Sequence, residues 1–308
     1  MKDLKKAVLS TLAYADVFDY PFTALEVWRF LIVPSEVKFS DVQKTLTLMS
    51  AALGLIHTDD IYYCLGGRQN IIYIRDKRKR WSRKKLQIAK RVAQWLRLIP
   101  WIKMVGVSGA LALLNSDRDD DIDILIVSGK NRLWLTRLLA TFLVELLGQR
   151  RQPNDREFRD KICLNMFLDE NHLSVPKKER DLFSAHEVCQ MRVLWERNGM
   201  YKRFLGENRW VKKYLPNTLS TTNIDTKYHE KFSGTSCFYS WLFVFERLVK
   251  KLQLWYMRKR RTTEVISEGV IRFHPQDARG WVLKEYSGRL KKLGGLFRPL
   301  TTKNFLLK

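Results

Sequence analysis

Residues 102–128 read IKMVGVSGALALLNSDRDDDIDILIVS, and this stretch decides the fold class of the chain. A mainly apolar run over 102–107 predicts a strand, and the Ser108-Gly109 pair follows it before a short helical run. A polar loop then leads into the β-branched run 122–127, which predicts a second strand. The hydrophobic pattern therefore changes from strand to helix and back to strand within a few residues.

Two further elements extend this pattern towards the C-terminus. Residues 131–147 form an apolar run that predicts a helix, and Gly148 is placed to end it. After a charged connection, residues 161–168 predict a third strand. The order strand, helix, strand, helix, strand is typical of a small α/β layer.

Two carboxylates begin the second predicted strand. Asp121 and Asp123 are two residues apart, so both side chains point to the same face. Carboxylates this close repel each other unless a cation lies between them, and Mg²⁺ (or Mn²⁺) binds through such oxygen ligands. A carboxylate pair on a rigid strand is a site at which metal ions hold a triphosphate and activate a hydroxyl.

The Ser108-Gly109 pair is the predicted phosphate site. It lies at a strand-to-helix turn, where a hydroxyl and free backbone N–H groups can bind an anion. Glycine allows a phosphate to approach the backbone closely. We therefore expect Ser108 and Gly109 to bind an NTP beside a metal held by Asp121 and Asp123.

This combination resembles the nucleotidyltransferase fold of the DNA polymerase beta superfamily. The family signature is an apolar residue, Gly, Gly or Ser, a spacer, and then Asp-apolar-Asp-apolar on a strand. Here Ser108-Gly109 stands where the family has Gly-Ser, and Asp121-Ile122-Asp123-Ile124 matches the carboxylate half. The resemblance covers roughly residues 101–170, and the layout is also similar to uncharacterised bacterial nucleotidyltransferase-domain proteins. It implies an α+β fold with a small mixed sheet, and nucleotidyl transfer from an NTP to a hydroxyl acceptor.

The family usually has a third carboxylate on a later strand, and the sequence departs from the family there. Strict alternation along 161–168 places Asn165 on the face of Asp121 and Asp123, together with Cys163 and Phe167. Asparagine is a neutral ligand and a poor base. The alternative reading is therefore a nucleic-acid-binding protein with a catalytically degenerate nucleotidyltransferase fold.

Other acids could replace the missing carboxylate. Asp160 and Asp169 lie at the ends of the predicted third strand. Glu187 follows His186 on a helix predicted over 181–196, and it could serve if that helix packs against the site. A single His-Glu pair without further ligands is more often a surface or packing pair.

The net charge of +24 indicates a polyanionic partner. Nucleic acid is favoured over an anionic membrane surface, and a generally basic surface is the alternative.

The stretch from Arg75 to Arg97 contains eleven Lys or Arg residues and one acid, Asp76, and it is predicted to form a helix with one apolar face. This density predicts phosphate contacts, which we assign to Arg78, Arg80, Arg83 and Lys84. The charge favours RNA as the acceptor over a cationic, aminoglycoside-type molecule.

Composition divides the chain into four regions. We predict a winged-helix-like module over 1–66, a basic linker helix over 67–100, the nucleotidyltransferase core over 101–170, and a helical, basic and aromatic C-terminal region over 171–308. The third helix of the first module carries few cations, so a protein contact is favoured there over DNA reading. A linker over 216–236 and a second basic cluster over 258–261 are also predicted.

Cysteine spacing and hydropathy bear on the compartment. The four cysteines form no CxxC pair, which predicts a reduced, cytoplasmic protein without a zinc motif. No apolar run is long enough to span a bilayer, so we expect no membrane partner.

Overall fold

A computed structural model of the chain describes residues 2–52, 54–152, 155–219, 239–258, 265–273 and 278–294. The predicted linker over 216–236 and the predicted basic cluster over 258–261 lie largely outside these ranges.

Three helices and a three-stranded antiparallel sheet form the N-terminal part. The elements are α1 (Lys2–Asp16), β1 (Phe22–Thr23), α2 (Ala24–Arg29), α3 (Phe39–Ala52), β2 (Ile56–Thr58) and β3 (Tyr62–Leu65), with the strand order β1-β3-β2. The residues Thr23-Ala24-Leu25-Glu26 have the pattern of a capping box, and they form one before α2: the Glu26 N–H donates to Thr23 Oγ1 and the Thr23 N–H donates to Glu26 Oε2. The residues Ser40-Asp41-Val42-Gln43 also predict a capping box, but this prediction is wrong because α3 already begins at Phe39.

The basic stretch forms one long helix, α4 (Asn70–Leu96), which ends four residues before Pro100. Its apolar side is buried against the main sheet and α6, a later helix defined below. The buried apolar residues in its second half are Leu86, Ala89, Val92, Ala93 and Leu96. The spacing of three and four residues explains why one side docks and the other faces solvent.

The main sheet has six strands in the order β7-β4-β5-β6-β9-β8. The strands are β4 (Ile102–Val107), β5 (Ile122–Ser128), β6 (Ile162–Asp169), β7 (Arg192–Glu196), β8 (Val265–Ser267) and β9 (Val270–Arg272). The helices around it are α5 (Gly109–Ala112), α6 (Leu133–Leu146), α7 (Leu182–Gln190), α8 (Met200–Glu207), α9 (Tyr239–Met257) and α10 (Ala278–Gly294). β5 and β6 pair in parallel, whereas the other described strand pairs of this sheet are antiparallel, so the sheet is mixed and the protein is of the predicted α+β class.

The C-terminal region is less helical than predicted. The single helix predicted over 181–196 is wrong, because α7 ends at Gln190 and β7 pairs with β4. Val193, Leu194 and Trp195 favour a strand, and their pairing covers an edge that β4 would otherwise expose. Since β8 and β9 also come from 171–308, half of the strands in the main sheet lie in the region predicted to be helical.

Each face of the main sheet has its own apolar core. Ile122, Ile124 and Ile126 point to the face covered by α4, α6 and α9. Leu125 and Val127 point to the opposite face, where they share one continuous cluster with α1, α2, α3, α7 and α8. The N-terminal helices and the main sheet therefore bury a common core. None of the helices described is both long and apolar enough to cross a membrane.

Candidate active site

The two predicted carboxylates meet a cysteine at the start of β5. In the parallel pairing of β5 and β6, Asp123 lies opposite Cys163. One ligand atom from each of Asp121, Asp123 and Cys163 lies within 4.8 Å of the other two. All three residues are partly buried.

A register shift in β6 explains why Cys163 is at this position and why the predicted alternation fails beyond it. Ile124 pairs with Leu164, but Leu125 pairs with Met166, so Asn165 is an extra residue between the two pairs. Phe167 therefore joins the core on the face opposite Asp123, contrary to the prediction. Asn165 is buried at this bulge, and its backbone carbonyl oxygen accepts a hydrogen bond from the Phe273 backbone N–H at 2.9 Å. A ligand role for Asn165 stays a prediction.

The Ser108-Gly109 turn lies directly beside Asp123. The Ser108 N–H donates to the backbone oxygen of Asp123 at 3.3 Å, which joins the turn to β5. Gly109 has φ +62°, and a side chain there would begin 3.8 Å from Asp123 Oδ2. The positive φ explains the glycine. The structure therefore brings the predicted phosphate residues and the predicted carboxylates together.

A buried lysine holds the loop that presents the carboxylates. Lys85 of α4 is 1% exposed, and its Nζ donates to Asp120 O at 2.6 Å, Arg118 O at 3.0 Å and Asp160 Oδ1 at 2.8 Å. These acceptors immediately precede β5 and β6. The ammonium thus satisfies all three of its protons and fixes the two strand starts relative to each other. Sequence analysis missed this role, since Lys85 is one cation among eleven in its stretch.

Arg151 is a second residue that the sequence did not reveal. Its Nη1 donates to Asp121 Oδ2 at 2.5 Å, and its guanidinium carbon lies 4.6 Å from the centre of the Phe158 ring. The Arg151 N–H also donates to Ile162 O at 2.9 Å, which ties the backbone to the start of β6. A positive charge therefore lies at the carboxylate pair.

The ionisation of Asp123 reflects this environment. Burial, followed by the negative charge of Asp121, raises the pKa of Asp123 to about 7. The Cys163 thiol donates a hydrogen bond to the Asp123 carboxylate, which opposes the rise. Burial and the neighbouring carboxylates raise the pKa of the Cys163 thiol in turn. An added cation would lower both pKa values because it favours the ionised forms.

Glu187 lies on α7, close enough to Asp123 for its charge to act there. Its charge contributes to the raised pKa of Asp123, and burial raises the pKa of Glu187 itself to about 7. His186 points into the core instead, where it stacks on Tyr14 with ring centres 4.0 Å apart. Burial lowers the pKa of His186 to about 3, so the imidazole is neutral at physiological pH. The two residues of the predicted His-Glu pair therefore have different surroundings. His186 packs in the core, and the charge of Glu187 acts on Asp123.

The two other acids considered for the third position have structural partners. Asp160 pairs with Lys85. Asp169 is buried at the end of β6 and accepts the N–H groups of Asn131 and Asn171 at 2.8 and 2.9 Å. Both carboxylates hold loops in place.

The predicted nucleic-acid residues fall into two groups. Arg78 is directed inward, because its Nη1 donates to Phe18 O at 3.1 Å and its Nη2 lies 3.6 Å from an oxygen of Asp117. A phosphate role for Arg78 is therefore not supported. Arg80, Arg83 and Lys84 are exposed on the outer side of α4. Further exposed cations of this cationic face are Lys77, Lys90 and Arg91, and none of the six forms an ion pair with a described residue.

Comparisons with known proteins place the chain in no family: no family model, no curated protein and no solved structure matches it.

Proposed function

We propose that the chain is a metal-dependent nucleotidyltransferase that transfers a nucleotidyl group from an NTP to a hydroxyl of RNA. The observation that supports this proposal is the position of the Ser108-Gly109 turn. A Cβ atom added to Gly109 would lie 3.8 Å from Asp123 Oδ2. Asp121 and Cys163 lie at the same place. A phosphate-binding backbone and a carboxylate pair side by side are what a metal–triphosphate complex needs.

The residues fit a divalent cation. Asp121 and Asp123 supply two oxygen ligands on a rigid strand, and their mutual repulsion is relieved when a cation binds between them. Mg²⁺ or Mn²⁺ would be held by these carboxylates and would neutralise the triphosphate while polarising the acceptor hydroxyl. The backbone N–H groups after Ser108 would hold the phosphates, although α5 is a single turn and adds little helix dipole.

The reaction follows from this placement. The acceptor oxygen forms a bond to the α-phosphorus while the bond from that phosphorus to the oxygen bridging to the β-phosphorus breaks, and pyrophosphate leaves. The proton of the acceptor hydroxyl passes to a carboxylate, for which Glu187 is the candidate because its charge acts on Asp123 and its own pKa is about 7. Positioning and charge neutralisation supply most of the rate.

The cationic face of α4 would hold the acceptor. Lys77, Arg80 and Lys84 follow one another at spacings of three and four residues, and Lys90 and Arg91 lie two helical turns beyond Arg83 and Lys84. Tyr73 and Trp95 are exposed on the same helix. Phosphates would pair with the cations, and bases can stack on the aromatic rings.

The test is label transfer from each NTP to bulk RNA with Mg²⁺ or Mn²⁺. Wild type should transfer label, whereas Asp121→Asn and Asp123→Asn should reduce the rate on the order of a thousandfold or more, since several kcal/mol of charge stabilisation is lost. Asp119→Asn is the matched control, because Asp119 is exposed in the same loop. Equal activity of the site variants and wild type would refute the proposal.

The second candidate is an RNA-binding protein whose nucleotidyltransferase site is degenerate. Two observations favour it: a thiol occupies the third position beside the carboxylates, and Arg151 pairs with Asp121. This protein would bind RNA through α4 but transfer no label with any NTP. RNA binding without transfer therefore distinguishes it from the first candidate.

The N-terminal elements have the helix and strand order of a winged helix, and we propose that they contact a protein rather than read DNA. The exposed side of α3 offers Lys44 as its cation and also carries Asp41. A helix that reads a major groove usually presents more positive charge.

A further inference from the structure

The third position of the site is held by a thiol. Cys163 lies opposite Asp123 across the parallel strands, and its Sγ is within 4.8 Å of a carboxylate oxygen from each of Asp121 and Asp123. The other described cysteines are buried elsewhere, Cys64 in β3 and Cys189 in α7. Of these three thiols, Cys163 alone is partly open to solvent.

We propose that Cys163 is the third protein ligand of the cation at Asp121 and Asp123, and that the site therefore prefers a thiophilic divalent ion such as Zn²⁺ to Mg²⁺. The inference rests on the proposed function for the presence of a cation, and it specifies the class of ion.

The spacing of the donor atoms suits a four-coordinate ion. Tetrahedral zinc has bonds of about 2.0–2.2 Å to oxygen and about 2.3 Å to sulfur, so its ligand atoms lie roughly 3.5 Å apart. The ligand atoms of Asp121, Asp123 and Cys163 all lie within 4.8 Å of one another, and small side-chain rotations would bring them to that spacing. Three protein ligands leave one position for water or a phosphate oxygen, which is the arrangement of catalytic zinc. Mg²⁺ needs near-octahedral oxygen ligands, and a thiolate is too soft for it.

The charges also balance at such a site. Binding breaks the S–H bond of Cys163, a sulfur–metal bond forms, and the proton leaves to solvent. Two carboxylates and a thiolate then carry three negative charges against two on the ion. The guanidinium of Arg151, already paired with Asp121, supplies the third positive charge. Arg151 would thus remain at the site as a partner of the bound ion.

The experiment uses the full chain with metal ions and no nucleotide. Cd²⁺ is the first probe, because thiolate ligation produces an ultraviolet charge-transfer band that oxygen ligands do not. Wild type should show this band, and Cys163→Ser should lose it and bind Zn²⁺ at least about tenfold more weakly. Cys163→Asp should reverse the preference towards Mg²⁺ or Mn²⁺, measured by calorimetric titration.

Cys189→Ser is the matched control, because it removes a buried thiol and its hydroxyl can keep the hydrogen bond to Thr218 that Cys189 Sγ makes at 3.4 Å. It should keep the band and the Zn²⁺ affinity. A band that survives in Cys163→Ser, or a wild type that binds Mg²⁺ as tightly as Zn²⁺, overturns the inference. Circular dichroism of each variant shows that the fold is retained.

The two proposals fail in different ways. If the band depends on Cys163 but no NTP supports transfer, the metal inference stands and the proposed function is wrong. If transfer occurs and the band is absent in wild type, the proposed function stands and Cys163 is not a ligand.

Discussion

Asp123 is the residue at the candidate site whose ionisation makes the stability of the fold depend on pH. Its pKa rises from an ordinary value of 3.8 to about 7 on folding, mainly through burial. Well below pH 3.8 the carboxyl is neutral in both the folded and the unfolded chain, so its burial does not lower the free energy of unfolding there. As the pH rises towards 7, the unfolded chain ionises first and the folded protein loses stability.

The variant Asp123→Asn should remove this pH dependence. The difference in free energy of unfolding between the variant and wild type should be near zero at pH 4 and should favour the variant by about 2 kcal/mol at pH 8, since one pKa unit corresponds to about 1.4 kcal/mol and partial exposure reduces the full effect. Urea unfolding at both pH values measures it. Asp119→Asn, an exposed change in the same loop, should show no such trend, and a constant difference across pH would contradict the assignment.

Lys85 is the residue on which the geometry of the carboxylate loop depends. Lys85→Met keeps the volume but leaves Asp120 O, Arg118 O and Asp160 without their common donor. We expect the free energy of unfolding to fall by about 3 kcal/mol. This value is at the low end of the range for breaking a buried ion pair, because Asp160 is partly exposed. Lys84→Met is the neighbouring control on the exposed side and should change stability by less than about 0.5 kcal/mol. Equal effects of the two substitutions would rule out the structural role of Lys85.

At the scale of elements, α4 divides its cations between two tasks. Arg75 is buried, with its Nη2 2.9 Å from Glu26 Oε1, and Arg78 and Lys85 also make their contacts inside the protein. The cationic face points to solvent. A count of charges along the sequence cannot separate the buried cations of α4 from the exposed ones. Helical periodicity indicates which side of the helix a residue lies on, but it does not identify the residue that it contacts.

Reversing charges on the cationic face should therefore change RNA binding. Contacts to about six phosphates predict a slope of log K against log salt of roughly −4 to −5. Arg80→Glu, Arg83→Glu and Lys84→Glu together should flatten that slope by about 2 to 3, because each cation lost removes one phosphate contact. Fluorescence anisotropy at several salt concentrations measures it.

The control for this experiment carries the same change of charge elsewhere. Lys177→Glu, Lys178→Glu and Lys202→Glu alter three exposed cations away from α4. Their slope should stay close to that of wild type. If both triple variants flatten the slope equally, binding follows net charge and not the cationic face.

At the scale of the whole molecule, the N-terminal elements and the main sheet are joined by a shared core. Val8 and Leu12 of α1 belong to the same apolar cluster as Leu125 and Leu168 of the sheet. Arg289 of α10 adds an ion pair to Asp16 at 2.7 Å. Parts that bury a common core are expected to unfold together.

Thermal unfolding of the full chain should therefore show one cooperative transition. A chain that begins at residue 67 should lose cooperative unfolding, because the sheet face with Leu125 and Leu168 would be exposed. Calorimetry measures both. Two separate transitions in the full chain would mean that the N-terminal elements are an independent domain.

Local features of the fold could be predicted from the order of the residues alone. Alternation predicted that Asp121 and Asp123 share a face, because the strand period is set by backbone geometry alone. The same reasoning located β4, β5 and β6 and the capping box at Thr23, each of which depends on neighbouring residues.

Tertiary structure decided which distant residues meet. The bulge at Asn165 places Cys163 beside Asp123 and moves Phe167 to the other face, since one extra residue reverses every later side chain. The strand β7 forms because β4 has an open edge to pair with, and Arg151 reaches Asp121 across thirty residues of chain. Pairing across strands and burial of ions depend on neighbours that are remote in sequence, and no local pattern of residues records them.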